Sequence, residues 1–272
     1  MAKLTKAQAK AHQQACDLLA KDVLSEDDKL FVLEHWQESA KHINTIAGAF
    51  FTPIGLARDL AIEVNDNCRV IDLCAGIGAL AFFASGTWKR NDMVCVEMNP
   101  EYAAVGMKIV PEARWIVGSV FDLPADLGHF NFAIGNPPFG ATPREKAAAP
   151  RYTGSEFELH VIDVASDLAD FGAFIVPQQT AGFRYSESPA GGWPGTVRNG
   201  VGSGFEKRWT DTHDRLLAQT GIRLEPSCGI DTGLYRRDWH GVSVSTEVVT
   251  VDFIEARQAR LPAQASLFSD AA

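Results

Sequence analysis

Residues 70–82 read VIDLCAGIGALAF. A short apolar run closes on Asp72 and Leu73, Gly76 and Gly78 follow, and Ala79–Phe82 is a helix-forming stretch. The order is strand, tight turn, helix. Glycine lacks a Cβ, so a turn built on it lets the backbone come close to a ligand. About twenty residues further on, VCVEMNP ends the next apolar run in a second acid, Glu97.

Outward from this turn the alternation continues. Strands are predicted at RVIDL (69–73), MVCVE (93–97), RWIVG (114–118), FNFAIG (130–135) and GAFIVP (172–177). Helices are predicted from Gly78, after Asn99–Pro100 and over 155–169. Strands alternating with helices specify βαβ units and a mostly parallel sheet. After Pro177 the regularity stops. Residues 178–205 are rich in Gly, Pro and Ser and too long for a simple connection, the mark of a functional or mobile loop. A helix near 205–219 and strands at IRLEPSCGI (222–230) and 243–253 bring the strand count to seven. Ahead of the alternating region, helices are expected over 5–21 and 26–41, with Ser25 as a cap and Glu26, Asp27 and Asp28 in the first turn of the second. In GAFFTPIGLA (48–57), Thr52 is expected to cap a helix and Pro53 to occupy its first turn.

The chain has 272 residues, 46% of them hydrophobic, enough for one large domain or one domain with attachments. No apolar run approaches the length of a membrane span, and MAKLTKAQAKAHQQ lacks the apolar segment of a secretory signal. Five cysteines with no CxxC pair argue against a disulfide framework and a structural zinc, no metal site is expected, and a reducing cytoplasm fits best. A net charge of −9 argues against indiscriminate coating of nucleic acid. The acidic excess lies before residue 180, which leaves room for a local basic face over 180–240.

Three acids close three successive strands: Asp72, Glu97 and, in GSVFDLP, Asp122. GIGALA fits the dinucleotide pattern G-x-G-x-x-A, which requires a turn hospitable to pyrophosphate. Asp72 immediately before that turn would instead repel phosphate and attract a cationic group. S-adenosylmethionine presents such a group and has no phosphate. Glu97 suits the hydroxyls of a ribose, and Asp122 suits an adenine amino group, with Phe121 or Val120 packing on the ring. The fourth strand runs into Asn136-Pro137-Pro138-Phe139. Consecutive prolines fix φ and supply no N–H, so this turn is stiff and leaves carbonyl oxygens unpaired.

With Asp72-x-x-x-Gly76-x-Gly78, Glu97, Asp122 and Asn136–Phe139 in this order, the chain resembles class I S-adenosylmethionine-dependent methyltransferases. More narrowly, it is similar to the adenine-N6 branch found in restriction–modification systems. Phe51-Thr52-Pro53 resembles the segment that covers the methionine end of the cofactor in those enzymes. The likeness spans residues 48–180. It implies a Rossmann-like α/β fold, with a mostly parallel seven-stranded sheet, helices on both faces and an N-terminal helical extension over 1–47. The methyltransferase domain would run over 48–256, with 178–205 as a substrate-facing loop. Phe51, Thr52, Pro53, Asp72, Ala75, Gly76, Gly78, Glu97, Met98, Phe121, Asp122 and Asn136 would bind S-adenosylmethionine, and Asn136, Pro137, Pro138 and Phe139 would be catalytic. There the Asn136 side-chain oxygen and the Pro137 carbonyl accept the two N–H bonds of an amine, and Phe139 stacks on the base.

The same motif occurs in RNA adenine methyltransferases, and closely similar ones in enzymes that modify protein glutamine. DNA is favoured by the FFTP resemblance, and by Phe183, Arg184, Tyr185, Trp193 and Arg198 in the long loop, which could stack on bases and touch phosphate. A base inside a duplex would have to be flipped out. Residues 257–272 read as a flexible tail. Within it Gln264–Phe268 (QASLF) resembles the pentapeptide by which bacterial DNA enzymes dock on the replication sliding clamp.

Overall fold

The computed structural model describes residues 4–37, 50–86, 89–141, 149–187, 204–240 and 244–261. The QASLF tail, Trp193, Arg198 and the last residues expected in the 26–41 helix lie outside them.

Seven strands form one sheet: β1 (Arg69–Leu73), β2 (Asp92–Glu97), β3 (Arg114–Val117), β4 (Phe130–Gly135), β5 (Ala169–Pro177), β6 (Glu225–Pro226) and β7 (Thr246–Asp252). Their spatial order is β3-β2-β1-β4-β5-β7-β6. The first five are parallel, whereas β7 runs antiparallel to both neighbours, with Pro177 opposite Thr246 and Phe171 opposite Asp252. The order reverses between β1 and β4, where an open parallel sheet forms its binding crevice. Consecutive strand residues face opposite sides, and two cores result. Val70, Met93, Cys95, Ile134 and Ile175 face one, and Ile71, Val94, Val96, Ala133 and Phe174 face the other.

On the first face lie α1 (Lys6–Leu19), α2 (Glu26–His35), α3 (Ile54–Leu60) and α4 (Ala79–Ala84). Thr5 with Gln8 and Ser25 with Asp28 form reciprocal caps at the starts of α1 and α2. α5 (Pro100–Ile109) starts on the Asn99 cap expected from Asn-Pro. α6 (Phe157–Leu168) and α9 (Phe253–Ala259) pack beneath β5, while α7 (Gln178–Ala181) and α8 (Gly204–Thr220) follow that strand. No helix among the described residues is long and apolar enough to cross a membrane.

Three local expectations are corrected. Thr52 does not cap α3: Pro53 holds the cap position without a side-chain bond, and the Thr52 hydroxyl is used elsewhere. The strand expected over 222–230 shrinks to Glu225–Pro226: Pro226 has no N–H for the ladder, and after Ser227, whose N–H still donates to the Val248 carbonyl at 3.0 Å, the chain turns at Cys228 and Gly229, with Gly229 at φ +102°. The helix expected over 26–41 stops at His35, with Trp36 already extended at ψ 128°.

Candidate functional site

The turn after β1 is forced rather than relaxed. Cys74, Gly76 and Gly78 all have positive φ, at +65°, +56° and +87°. A left-handed cysteine costs about 1 kcal/mol or more and persists only where its surroundings impose it. The turn is pinned to the neighbouring strand, with Ala75 N–H donating to the Val96 carbonyl at 2.9 Å. Gly76 N–H donates to Glu97 Oε2 at 2.8 Å, and Asn99 N–H donates to Oε1 of the same carboxylate at 2.8 Å. Glu97 thereby joins the ends of β1 and β2. Burial pushes its carboxyl above the ordinary range, and these backbone donors oppose the shift.

Asn136 ends β4 beside this turn. Its Nδ2 donates to the Phe50 carbonyl at 2.9 Å and to Thr52 Oγ1 at 3.0 Å. Both amide hydrogens are therefore committed to the segment before α3. The Oδ1 atom is buried and has no partner. The far end of the turn is held as well, since Gly140 N–H donates to Glu158 Oε2 at 2.8 Å and the Gly140 carbonyl accepts from Phe157 N–H at 2.9 Å. Between two proline rings and these two clamps, residues 136–140 have little freedom.

A cavity of about 250 Å³ opens at this edge, its walls drawn from the ends of β1, β2, β3 and β4. Of the expected residues, Phe51, Gly76, Glu97, Met98, Val120, Asn136 and Pro138 line it. Thr52 and Ala75 line a small recess that shares Phe50, Phe51, Cys74, Gly76 and Asn136 with it. Phe50, Asn99, Tyr102 and Phe157 also face the cavity and were not singled out from the sequence. Tyr102 sits on an ordinary amphipathic helix and carries no local signal, whereas Gly118 and Ser119, at the third strand end, could have been found by position. A wider cleft of about 600 Å³, between Lys29, Arg58, Phe82 and Phe83, contains none of the expected site residues.

Other expected residues stand elsewhere. Asp72 is fully buried beneath the turn and does not line the cavity, so direct contact with a bound molecule is corrected to a position behind the wall. Burial raises its carboxyl to about 8, with Glu97 adding to the rise. Ala81 N–H opposes that shift without reaching hydrogen-bond geometry, and neither carboxylate oxygen has a partner. Gly78 caps α4 and packs towards Trp115 and Val110 rather than towards the cavity. Pro53 and Pro137 are buried without lining it. Asp122 is exposed outside it, and Phe121 touches it only through an edge contact on Phe157. Phe139 packs edge-on against Trp239, with centroids 6.3 Å apart.

The expected loop aromatics divide. Phe183 is 5% exposed within the second core, so its ring is not available to a base, which corrects that assignment. The Tyr185 hydroxyl accepts from Gly229 N–H at 2.8 Å, and Arg184 is exposed beside Glu187.

No protein-family model and no curated protein matches the chain. Solved structures do. A candidate class I S-adenosylmethionine-dependent methyltransferase from Listeria monocytogenes superposes with a TM-score of 0.50 at 11% identity, covering 92% of this chain and 81% of that one. The chain has the class I methyltransferase fold. A TehB-like S-adenosylmethionine-dependent methyltransferase from Corynebacterium glutamicum matches 84% of this chain and 98% of its own at 14% identity and a TM-score of 0.42. The M protein of the type I restriction enzyme EcoKI matches 91% and 54% at 16% identity and a TM-score of 0.48. In the methyltransferase fold found here, the cavity occupies the strand-end crevice next to the reversal of strand order, where an open α/β sheet takes its ligand.

Proposed function

We propose that the protein transfers a methyl group from S-adenosylmethionine to the N6 amine of adenine in DNA. One observation carries the reading: Asn136 spends both amide hydrogens on Phe50 and Thr52 and keeps a buried, unpartnered Oδ1 at the cavity wall. A buried acceptor with no donor costs about 1–3 kcal/mol, and a ligand N–H would recover it.

The chain's own residues fit the cofactor. Glu97 holds the rim by two backbone bonds and can still accept from ribose hydroxyls, the glycine turn gives close approach, and Phe51 and Tyr102 supply apolar wall. When bound, S-adenosylmethionine supplies an electrophilic methyl on a sulfonium. The protein's task is then to prepare the amine. The exocyclic nitrogen of adenine is a weak nucleophile because its lone pair is delocalised into the ring. Asn136 Oδ1 and the Pro137 carbonyl, accepting its two N–H bonds, favour a tetrahedral nitrogen with a directed lone pair. Pro138 has no N–H to compete for the neighbouring carbonyl, and the clamps at Thr52 and Glu158 fix the acceptors before the amine arrives. Fixed dipoles aimed at developing charge need no rearrangement during the reaction. The amine's surplus proton leaves to solvent after transfer.

The test is incubation with radiolabelled S-adenosylmethionine and, separately, unmodified duplex DNA, single-stranded DNA, ribosomal RNA and a protein extract. Label recovered as N6-methyladenine in DNA is the expected result. Label confined to RNA or to protein glutamine overturns the choice of acceptor.

A further inference from the structure

We propose that the α1–α2 hairpin is a working part of the cofactor site, with Trp36 as its positioning residue. This rests on the S-adenosylmethionine reading and extends it to a segment that bears no chemical motif.

Phe51 and Tyr102 both line the strand-end cavity, and neither stands alone. Their rings meet edge to face with centroids 5.0 Å apart. Behind them sits Trp36, at 5.6 Å from Phe51 and 5.7 Å from Tyr102. Trp36 follows directly after α2 and is 5% exposed. Its backbone is fixed on both sides, as its own N–H donates to the Val32 carbonyl at 2.9 Å and Gln37 N–H donates to His12 Nδ1 at 3.0 Å. The His12 ring lies 5.7 Å from the indole, so α1 backs Trp36 as Trp36 backs the cavity wall. On the other side, Phe51 leans on the glycine turn, where a Cβ at Gly76 would come within 3.4 Å of its ring.

The aromatic chain therefore runs from α1 through Trp36 and Phe51 to the backbone of the turn. Without Trp36, Phe51 and Tyr102 would regain rotamer freedom, and a ligand would have to order them as it bound. Such a loss weakens ground state and transition state alike, so it raises the cofactor's KM and leaves kcat unchanged. That pattern separates Trp36 from Asn136, whose loss falls on turnover.

Full-length Trp36→Ala and Trp36→Phe are compared with wild type by titration calorimetry with S-adenosylhomocysteine and by methyl transfer at varied cofactor. Trp36→Ala is expected to weaken binding and raise the cofactor KM about tenfold, with kcat within about twofold and Trp36→Phe recovering most of the loss. Wild-type affinity in a folded Trp36→Ala protein, or equal falls in affinity and kcat, overturns the proposal. Hydrogen exchange on the wild type decides the matter without a variant. S-adenosylhomocysteine should slow exchange of the amides around His12 and Val32–Gln37, and no change there rejects the role. If the wild type binds no S-adenosylhomocysteine at all, the cofactor reading falls first and this inference with it.

Discussion

At the same edge of the sheet, Glu247 on β7 and Asp72 on β1 are both enclosed carboxylates, and their surroundings differ in kind. Glu247 accepts from Gln178 Nε2, from the N–H groups of Tyr185 and Ser186, and from the Ser186 hydroxyl. The Ser186 hydroxyl in turn accepts from Thr232 N–H, so one acid knits the chain after β5 to the turn before β7. Asp72 has no partner on either oxygen, and Asn136 nearby keeps an idle Oδ1. Buried polar groups are matched almost everywhere in native proteins. Glu247 obeys that rule on both oxygens and is a lock, while Thr246 Oγ1 beside it is buried without a partner. The β1–β4 region breaks it twice around one cavity, as a socket does.

The sharpest way to break this comparison is Asn136→Ala. If the idle oxygen serves the acceptor amine, turnover should fall about 10²–10³-fold, the loss seen when one transition-state acceptor or donor is removed, with cofactor affinity nearly unchanged by calorimetry. Wild-type turnover would remove Asn136 from the chemistry. Glu247→Ala attacks the lock instead. Stranding Ser186, Tyr185 and Gln178 without their acceptor should cost about 3 kcal/mol, or roughly 6–10 °C in melting temperature by calorimetric scan. A melting temperature within a degree of wild type would show that the network is ornamental. Thr52→Val removes one of the two acceptors that orient the Asn136 amide. It should lower kcat about tenfold and leave the melting temperature nearly fixed, and an unchanged kcat would mean that Phe50 alone suffices.

A pH-dependent effect concerns Asp72. Its folded carboxyl is raised from 3.8 to about 8, so the folded state holds a proton that the unfolded chain releases first. The stability from this site is complete below about pH 4 and is lost as pH climbs to about 8. Asp72→Asn, which cannot ionise, should match wild type near pH 4 and melt progressively above it as pH rises towards 8. Parallel melting curves across that range would show that Asp72 is ionised and partnered in the folded protein.

The first five strands were legible because each is a short apolar run cut by Gly, Pro or Asn, and buried parallel strands need little else. RVIDL and FNFAIG fall on β1 and β4 residue for residue. The last two were harder. β6 keeps only two ladder residues beside a proline, and β7 reads much like any other valine-rich run. At the site, the residues that declare themselves are those whose backbone is unusual: the two glycines and the two prolines. Tyr102 and Trp36 use ordinary backbone and act through ring contacts across 66 residues of chain, a relation that no local pattern records. Phe183 shows the reverse error, since an aromatic in a polar-looking loop proved to be core.

The reversed direction of β7 has one more result. Because that strand runs back from Thr246 opposite Pro177 to Asp252 opposite Phe171, α9 begins at the rear margin of the sheet, remote from the mouth of the crevice. The last described residues therefore lie on the side of the sheet away from the crevice, where Arg260 donates to the Thr220 carbonyl and to the Ser166 hydroxyl.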